Sequence, residues 1–440
     1  MSRGLRAARP HLAFLVGLSA ALLIMWQVSD ATSVTAKPQV NLVAKLQQKA
    51  QVPLRSRRPL TAEQRRHAQV AWRYFENNTI AETGLVNSVD KYESTTMWDT
   101  GSYLMGLLAA RDLELIPPEA ALRRIEQALD ALARLPLIEK LPNKAYNTRS
   151  LAMVNYDNTP SKDGIGWSAI DIARLSVPLT IIVWRDPQLA PKVRALLRGW
   201  DLDLLVAKGR MQGAFRAPDG KLSLVQEGRI GYEQYAAQAL VLLGVDVEDA
   251  LRWDLTTGVT KASGQAIPYD TRLPENYAGT HNAVVSEPFL LEAFEMGMSP
   301  TTRALAQSLF LAQQQRAREL GKLVAVSEDN IDRPPYFVYN SVYNGRTPWV
   351  AFTPDGKDAS AHRSLSTKAA YGWGILYSDD YAAQLLAGID KIHDASKGWY
   401  SGVYDADGKT NKAITANTNG IILEALWYQT RGSLIRAGQR

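Results

Sequence analysis

The sequence predicts an all-α fold, an (α/α)6 toroid of about twelve helices with long aromatic-rich loops. Three observations support this prediction. Helical segments that are apolar on all sides alternate with amphipathic segments. Long loops rich in tyrosine and tryptophan precede the apolar segments. Few stretches show the period of two that strands need. Apolar helices require burial on every side, whereas amphipathic helices keep one face in water, so a ring of inner helices wrapped by outer helices satisfies both.

The helices follow one another in a regular alternation. Thr61 is a capping residue type, and it begins an amphipathic helix that ends near Asn78. Further amphipathic helices are predicted at 118–135 and 191–206. The remaining predicted helices are apolar segments at 103–113, about 171–184 and 236–244, and helices at about 247–253, 286–297, 300–320, 364–375, 378–393 and 418–428. The segments 254–285 and 321–362 are expected to be irregular loops.

The N-terminus has the pattern of a membrane-targeting segment. Arg3, Arg6 and Arg9 precede the apolar run 11–28, which is about one bilayer-crossing length. This pattern indicates a signal anchor at 1–29, or a cleaved signal peptide with Val34-Thr35-Ala36 as a poor cleavage site. Both alternatives place the rest of the chain in the periplasm or outside the cell. A basic linker at 30–60, a domain at 61–432 and a tail at 433–440 complete the predicted organisation.

Charge and composition exclude several function classes. Residues 1–66 hold eleven basic and two acidic residues, and the remainder holds 39 basic and 42 acidic residues. The net charge of +6 therefore belongs to the leader, and nucleic-acid binding has little support. The chain has no cysteine, which excludes disulfides and thiol chemistry. The five histidines are scattered, and no phosphate-binding loop precedes a helix. We therefore expect no metal, no cofactor and no nucleotide.

Carboxylates in aromatic surroundings lie where loops enter the apolar helices. Asp99 follows Trp98, Asp171 lies shortly after Trp167, and Glu233 follows Tyr232. In a helical ring these entries gather at one end and line a central cleft. Aromatic rings stack on sugar faces, and cleavage of a glycosidic bond needs paired carboxylates. Further candidates for substrate contacts are Asp157, Trp373, Trp399 and Asp405.

Each candidate also has a structural interpretation. Glu233 begins a buried helix, where a carboxylate can satisfy free backbone N–H groups, and this position lowers its pKa whereas a general acid needs a raised pKa. Asp171 can hydrogen-bond neighbouring loops, and Asp99 can cap its helix. Asp157 and Asp405 can be solvated loop residues. The tryptophans are equally typical of a hydrophobic core.

Seven motifs, taken in order and spacing, make the chain similar to a known family. They are Trp72-Arg-Tyr-Phe75, Thr83-Gly-Leu-Val86, Met97-Trp-Asp-Thr-Gly-Ser-Tyr103, Ser168-Ala-Ile-Asp171, Gly231-Tyr-Glu-Gln-Tyr235, Ser366-Thr-Lys-Ala-Ala-Tyr-Gly-Trp373 and Thr415-Ala-Asn-Thr-Asn419. Over residues 65–432 the sequence resembles the bacterial glucoamylase-like (α/α)6 domain known as domain of unknown function 3131. More distantly it resembles β-1,2-glucanases and the processing domain of cyclic β-1,2-glucan synthases.

The resemblance implies roles for two carboxylates. Asp171 matches a cleft carboxylate of the β-1,2-glucanases, and Glu233 matches their general acid at the start of a helix. We therefore expect Glu233 to face a second carboxylate, Asp171, Asp99 or Asp405, across an open cleft. The glycosidase interpretation depends on this expectation, because a Glu233 packed in the interior cannot protonate a leaving group.

The leading hypothesis is a membrane-anchored periplasmic glycoside hydrolase or transglycosylase that acts on a bacterial β-glucan or exopolysaccharide. Its expected partners are the polysaccharide and the inner membrane, with a polysaccharide synthase complex as a further candidate. The alternative is a non-catalytic glycan-binding or scaffold subunit of a polysaccharide synthesis or export system. A polysaccharide lyase is a third alternative, but the acidic domain offers few basic groups for uronates.

Overall fold

Six helices form a closed inner ring in the computed structural model, which describes residues 42–46, 51–217, 219–276 and 281–438. The twelve ring helices are α1 (Ala62–Asn78), α2 (Met97–Asp112), α3 (Pro118–Leu132), α4 (Ala169–Arg185), α5 (Ala190–Arg198), α6 (Tyr232–Val241), α7 (Glu248–Leu251), α8 (Glu287–Leu291), α9 (Pro300–Leu320), α10 (Thr367–Leu376), α11 (Asp380–Ile389) and α12 (Ala416–Arg431). The even-numbered helices pack in chain order, each against the next, and α12 packs against α2 to close the ring. The odd-numbered helices pack around them.

The alternation of hydrophobic patterns explains this arrangement. Along α2 and α10 nearly every residue is buried, as expected for helices with neighbours on all sides. In α3 and α5 only one face is buried, and their outer faces carry charged residues. The predicted helical toroid is therefore confirmed, and its inner helices are the segments with apolar character all round.

The loops differ from the prediction because they contain antiparallel sheets. Their longer strands are β1 (Arg210–Arg216), β2 (Leu222–Gln226), β3 (Thr257–Ala262), β4 (Gln265–Asp270), β5 (Glu328–Asn330), β6 (Phe337–Asn344), β7 (Thr347–Phe352), β8 (Ser364–Ser366), β9 (Gly398–Tyr404) and β10 (Thr410–Ile414). Two-residue strands lie at Ser94–Thr95, Leu137–Ile138, Leu141–Pro142, Tyr146–Asn147, Val206–Ala207 and His393–Asp394. The strict all-α description is thus incomplete.

The pairing of these strands shows why segments expected to be irregular fold into hairpins. Strands β3 and β4 pair in register from Thr257↔Asp270 to Ala262↔Gln265. Ser263 and Gly264 between them both have positive φ, at 45° and 72°. Two such residues form the tight turn that matches the twist of paired strands. The strands β5, β6 and β7 form one sheet, and β8, β9 and β10 belong to another.

Some helices are shorter than predicted or irregular. Helix α5 ends at Arg198, where Gly199 follows, and only a 3-10 turn, Leu202–Leu205, continues toward Val206. The predicted helix 247–253 divides into α7 and a separate turn, Trp253–Thr256. Helix α8 passes into a π-helical turn at Glu292–Met296.

The segments on either side of the ring pack against it where they are described. The backbone N–H of Arg55 donates to Leu376 O, and that of Arg58 donates to Gln429 O. The guanidinium of Arg55 donates to Gly374 O and Tyr377 O. A short helix, Leu434–Gly438, packs against α4. The end of the predicted linker and the start of the predicted tail are therefore attached to the ring.

The predicted anchor at 1–29 lies outside the described residues. Among the helices that the structure describes, none has both the length and the apolar character required to cross a bilayer.

Candidate active site

The inner helices begin at one end of the ring, and their N-termini surround a cleft of about 580 Å³. The loops and hairpins that lead into these helices form its rim. A volume of this size suits a small-molecule or oligosaccharide segment. Carboxylates from three places line it, namely Asp99 on α2, Asp171 on α4, and Glu227 between β2 and α6. Two further acids, Glu328 and Asp329, come from β5.

Asp99 and Asp171 occupy the same position on their helices, the third residue after the cap. The backbone N–H of Asp99 donates to the Thr96 hydroxyl at 3.1 Å, and that of Asp171 donates to the Ser168 hydroxyl at 3.1 Å. This Ser/Thr-x-x-acid spacing is a helix-capping pattern, so the local sequence sets both side chains at the ring mouth.

Asp171 has an environment that favours its protonated form. Burial raises its pKa to about 7 from the ordinary 3.8, and the negative charges of Glu227 and Asp99 add to the effect. The Ser168 hydroxyl and Lys144 act in the opposite direction. The helix N-terminus would lower the pKa, but loss of hydration outweighs it here. Asp171 can therefore hold a proton near neutral pH.

Asp99 is held by two hydroxyl donors. Ser88 Oγ donates to its Oδ2 at 2.5 Å, and Thr96 Oγ1 donates to the same oxygen at 2.9 Å. Burial raises its pKa, and these two hydrogen bonds oppose the rise. Asp99 thus accepts one hydrogen bond from its loop, through Ser88, and one from its helix cap, through Thr96. Both hydrogen bonds stabilise the ionised carboxylate.

Glu227 was not among the sequence candidates. Its Oε1 accepts from Ser168 Oγ at 2.7 Å, and its Oε2 accepts from the backbone N–H of Ala169 at 2.6 Å. It thus joins the loop before α6 to the start of α4, next to Asp171. Burial raises its pKa. The sequence signal was its position directly before Gly228, in the loop that enters an inner helix.

Glu233 does not face the cleft, contrary to the expectation from the sequence. Its side chain is fully buried, and its carboxylate pairs with Arg272 Nη2 at 2.7 Å. Arg210 Nη1 lies 3.7 Å away, and Gln226 Nε2 donates to it at 3.1 Å. Burial raises the pKa of Glu233, with Arg272 and Arg210 opposing. It does not line the cleft, so the expectation that it faces a second carboxylate there is not met. A glycosidase interpretation therefore has to rest on other carboxylates.

The tryptophans predicted to contact the sugar divide into two groups. Trp98 lines the cleft and contacts Tyr232 edge-on, with ring centroids 5.4 Å apart. Trp167, Trp373 and Trp399 are buried instead. Their indole N–H groups donate to Gln212 O, Ser286 Oγ and His67 O respectively. These three are core residues, because large aromatic surfaces with an internal partner for the N–H are most stable when buried.

Aromatic residues from the β-sheet rim complete the cleft lining. Phe337 and Tyr339 lie on β6 and contact each other edge-on at 5.3 Å. Tyr339 also stacks on Phe352 at 5.2 Å, which fixes its ring. Together with Trp98 and Tyr232, these side chains offer flat apolar faces beside the carboxylates.

Two loop aspartates lie outside the cleft. Asp157 is exposed and accepts from the backbone N–H of Thr159 at 3.0 Å and from its hydroxyl at 2.6 Å, as in a local turn. Asp405 pairs with Lys322 at 3.3 Å. Neither lines the cleft, so the structure does not support them as substrate contacts.

One group of possible metal ligands lies away from the cleft. Glu63, His67 and Asp390 bring their ligand-type atoms within 4.8 Å of one another. The two ring nitrogens of His67 contact Asp390 at 3.0 Å and the Tyr371 hydroxyl at 3.1 Å. These hydrogen bonds account for the arrangement, and we assign no metal to it.

Comparisons with known proteins agree with the helical toroid. The family model named Protein of unknown function (DUF3131) matches residues 66–432. The search of curated proteins finds no match.

Solved structures show the same fold at low sequence identity. The endo-β-1,2-glucanase of Chitinophaga pinensis, solved with sophorotriose and glucose, is 11% identical with a TM-score of 0.62, over 86% of this chain and 95% of the glucanase. The endo-β-1,2-glucanase of Talaromyces funiculosus, solved with sophorose, is 11% identical with a TM-score of 0.53, over 86% and 85%. A Bacteroides fragilis protein named "putative glucoamylase" is 15% identical with a TM-score of 0.60, over 87% and 96%.

Proposed function

The chain belongs to the DUF3131 family, and from its cleft we propose that it is a glycoside hydrolase or transglycosylase acting on a bacterial β-glucan or related exopolysaccharide. The observation that carries the proposal is the convergence of Asp99, Asp171 and Glu227 in one aromatic-lined cleft at the mouth of the ring. Hydrolysis of a glycosidic bond requires an acid and a second carboxylate on either side of the scissile bond.

Asp171 acts as the general acid in this proposal. With its pKa raised to about 7, its carboxyl group carries a proton at neutral pH and donates it to the departing glycosidic oxygen. Asp99 serves as the second carboxylate, because its two hydroxyl donors favour the ionised form. It acts on the water or acceptor hydroxyl that replaces the leaving group. Glu227 orients the start of α4 and, by its charge, helps to keep Asp171 protonated.

The charge of the cleft supports a neutral glycan. Five acidic side chains line it, against Lys368 and the buried Arg229. Uronate carboxylates would find only these two cations among five carboxyl groups, so the cleft gives no support to lyase chemistry on an acidic polysaccharide. The β-1,2-glucanases that share the fold were solved with neutral gluco-oligosaccharides. A neutral β-glucan is therefore the substrate class we propose.

The proposed location follows from the leader alone. The three arginines before the apolar run 11–28 favour a segment whose basic end stays in the cytoplasm. We propose that it anchors the enzyme in the inner membrane, or directs its export if cleaved, and that the toroid works in the periplasm. A polysaccharide synthase complex is a proposed neighbour.

The test is the release of reducing ends from β-1,2-glucan and other soluble β-glucans by the full-length protein. Asp171→Asn keeps the size of the side chain but cannot supply the proton, so kcat is expected to fall by about 10²–10⁴-fold. Asp157→Asn, an exposed aspartate outside the cleft, is the matched control and should retain wild-type activity. Equal activity of the Asp171→Asn variant would remove the acid assignment. Glucan binding without cleavage by the wild type would instead indicate a glycan-binding protein.

A further inference from the structure

One wall of the cleft carries polar groups that neither the proposed acid nor the second carboxylate uses. It is formed by β5 with Asp329, by the start of α10 with Lys368, and by the start of α12 with Asn417. All three side chains line the cleft. Helix α10 lies three places around the inner ring from α4, so this wall faces Asp171 across the ring mouth.

The buried carboxylate of Glu287 binds two of the side chains in this wall, Lys368 and Asn417. Glu287 is fully buried at the start of α8, and its carboxylate accepts from Lys368 Nζ. It also accepts from Asn417 Nδ2, at 2.9 Å and 3.0 Å to its two oxygens. The amide nitrogen of Asn417 is therefore engaged inside the protein, and the opposite end of the same amide, Oδ1, remains for another contact.

Two buried acceptors on the wall have no partner within the part of the chain that the structure describes. They are Asn417 Oδ1 and Asp329 Oδ2. Asp329 is only 2% exposed, and its other oxygen lies 3.9 Å from Lys368 Nζ. Buried polar atoms are rarely left unpaired, because they lose their hydration without gaining a partner. Because the two residues that carry these atoms line the same cleft, a bound polar group can complete them.

We propose that Asp329 and Asn417 form a subsite for a neutral sugar ring, in which both side chains hydrogen-bond hydroxyl groups of the glycan. Lys368 and Glu287 fix the two side chains in place. The inference rests on the proposed function and extends it, because it names the groups that recognise the sugar rather than those that cleave the bond.

A donor on Asp329 beside an acceptor on Asn417 favours hydroxyl groups over carboxylates as ligands. Burial raises its pKa to about 8, with Glu328 and Glu287 adding to the effect and Lys368 and the Ser366 hydroxyl opposing it. At neutral pH the carboxyl group then donates one hydrogen bond, while Asn417 Oδ1 accepts one. A sugar hydroxyl both accepts and donates, so it can satisfy either residue. A uronate carboxylate cannot donate to Asn417 Oδ1.

The experiment measures glycan binding by calorimetry, with Asp171→Asn as the parent so that cleavage does not interfere. Linear β-1,2-gluco-oligosaccharides are the probe. Added to this parent, Asp329→Ala and Asn417→Ala should each weaken binding by about tenfold, which corresponds to the loss of one hydrogen bond. Asp329→Asn still donates and should bind within about threefold of the parent at pH 7. Asp405→Ala, outside the cleft, is the control and should bind like the parent.

A pH series separates a hydrogen-bond donor from a passive wall residue. Binding by the parent should change around pH 8, as Asp329 loses its proton and turns from a donor into an acceptor. Binding by the Asp329→Asn variant should not show this change, since an amide keeps its donor at all these pH values.

The Tm of each variant without glycan shows whether weaker binding comes only from a less stable fold. If Asp329 serves the glycan, Asp329→Ala should have a Tm close to that of the parent, whereas a fall of several degrees would make the residue structural and overturn the subsite. Parent-like binding by both alanine variants would overturn it as well. If the parent itself binds no glucan of any linkage, the proposed function fails and the subsite fails with it.

Discussion

Asp99 and Asp171 occupy equivalent positions on their helices, but different neighbours act on the pKa of each carboxyl group. Both are the third residue after a capping hydroxyl, where the helix N-terminus favours the ionised carboxylate. Ser88 adds a second hydroxyl donor to Asp99, while Asp171 meets the charge of Glu227 instead. Burial raises the pKa of both aspartates; the charge of Glu227 adds to the rise at Asp171, which reaches about 7, whereas the hydroxyl donors oppose the rise at Asp99.

The raised pKa of Asp171 leads to a prediction about pH. The acid must be protonated to work, so kcat/KM should fall as the pH rises through about 7, the pKa of Asp171. Initial rates on a soluble β-glucan between pH 4 and 9 measure the profile. A high-pH limb near 4, the value of an ordinary aspartate, would contradict the assignment.

The same shift has a consequence for stability, which provides an independent check. The folded-state pKa is raised, so the folded protein keeps a proton that the unfolded chain releases above about pH 4. The contribution of this carboxyl group to stability therefore falls as the pH rises from about 4 to 7. Asp171→Asn removes the effect, and its Tm should exceed that of the wild type increasingly across this range. A constant Tm difference would show that Asp171 titrates normally.

At the scale of elements, the turn before α6 decides which side chain reaches the cleft. Gly228 and Gly231 have φ of 85° and 88°, a left-handed conformation that favours glycine. The turn brings Tyr232 to the cleft and directs Glu233 to Arg272 in the interior. A Cβ atom at position 231 would lie 2.7 Å from Pro288 Cγ, so α8 packs directly against this turn.

Gly231→Ala should therefore destabilise the protein more than an alanine at a glycine with free space. The matched control is Gly244→Ala, where φ is 79° and no atom lies within 4 Å of the added Cβ. The control should cost about 1–2 kcal/mol, the penalty for a left-handed non-glycine residue. Gly231→Ala should cost about 1–3 kcal/mol more, because overpacking adds to the backbone strain. Urea unfolding measures the loss of free energy of unfolding in both variants. Equal losses would mean that Pro288 moves aside without cost and would contradict the prediction.

At the scale of the whole molecule, one buried charge cluster joins four parts of the ring. Arg174 on α4 pairs with Glu295 in the π-helical turn and with Glu424 on α12, the latter at 2.5 Å. Its guanidinium also donates to the Tyr235 hydroxyl on α6 at 3.1 Å. All three charged side chains are fully buried. The same guanidinium lies 5.7 Å from the ring centroid of Trp98. Because Trp98 lines the cleft, the cluster packs directly behind the cleft lining.

Arg174→Met should destabilise the whole ring rather than one helix. The change leaves two buried carboxylates without their cation, and breaking such a network by removing one partner costs about 3–5 kcal/mol. Arg149→Met is the control, since Arg149 pairs with Glu82 and Glu93 on the surface, where ion pairs contribute about 0–1 kcal/mol. Denaturant unfolding followed by far-ultraviolet circular dichroism measures both losses. Similar losses in the two variants would show that the central cluster is not needed for stability.

The positions of the ring helices could be read from the sequence because burial leaves a local pattern. A helix with neighbours on all sides has apolar residues all round, as in α10, and an outer helix has them on one face, as in α3. The capping residue Thr61 marked the start of α1. The hairpins were missed because most of their strands are either short or, like Phe337–Asn344, buried on both faces, so the alternation of apolar and polar residues is weak.

The sequence by itself determined the helical toroid and placed Asp99 and Asp171 at helix starts, since periodicity and capping act within a few residues. Only the tertiary structure decided which carboxylates share the cleft. Glu233 meets Arg272, 39 positions along the chain, and is drawn into the interior, while Glu227 meets Ser168 and joins the site. Whether a charged side chain is buried with a partner or left at an opening depends on contacts between distant segments, and no local pattern records them.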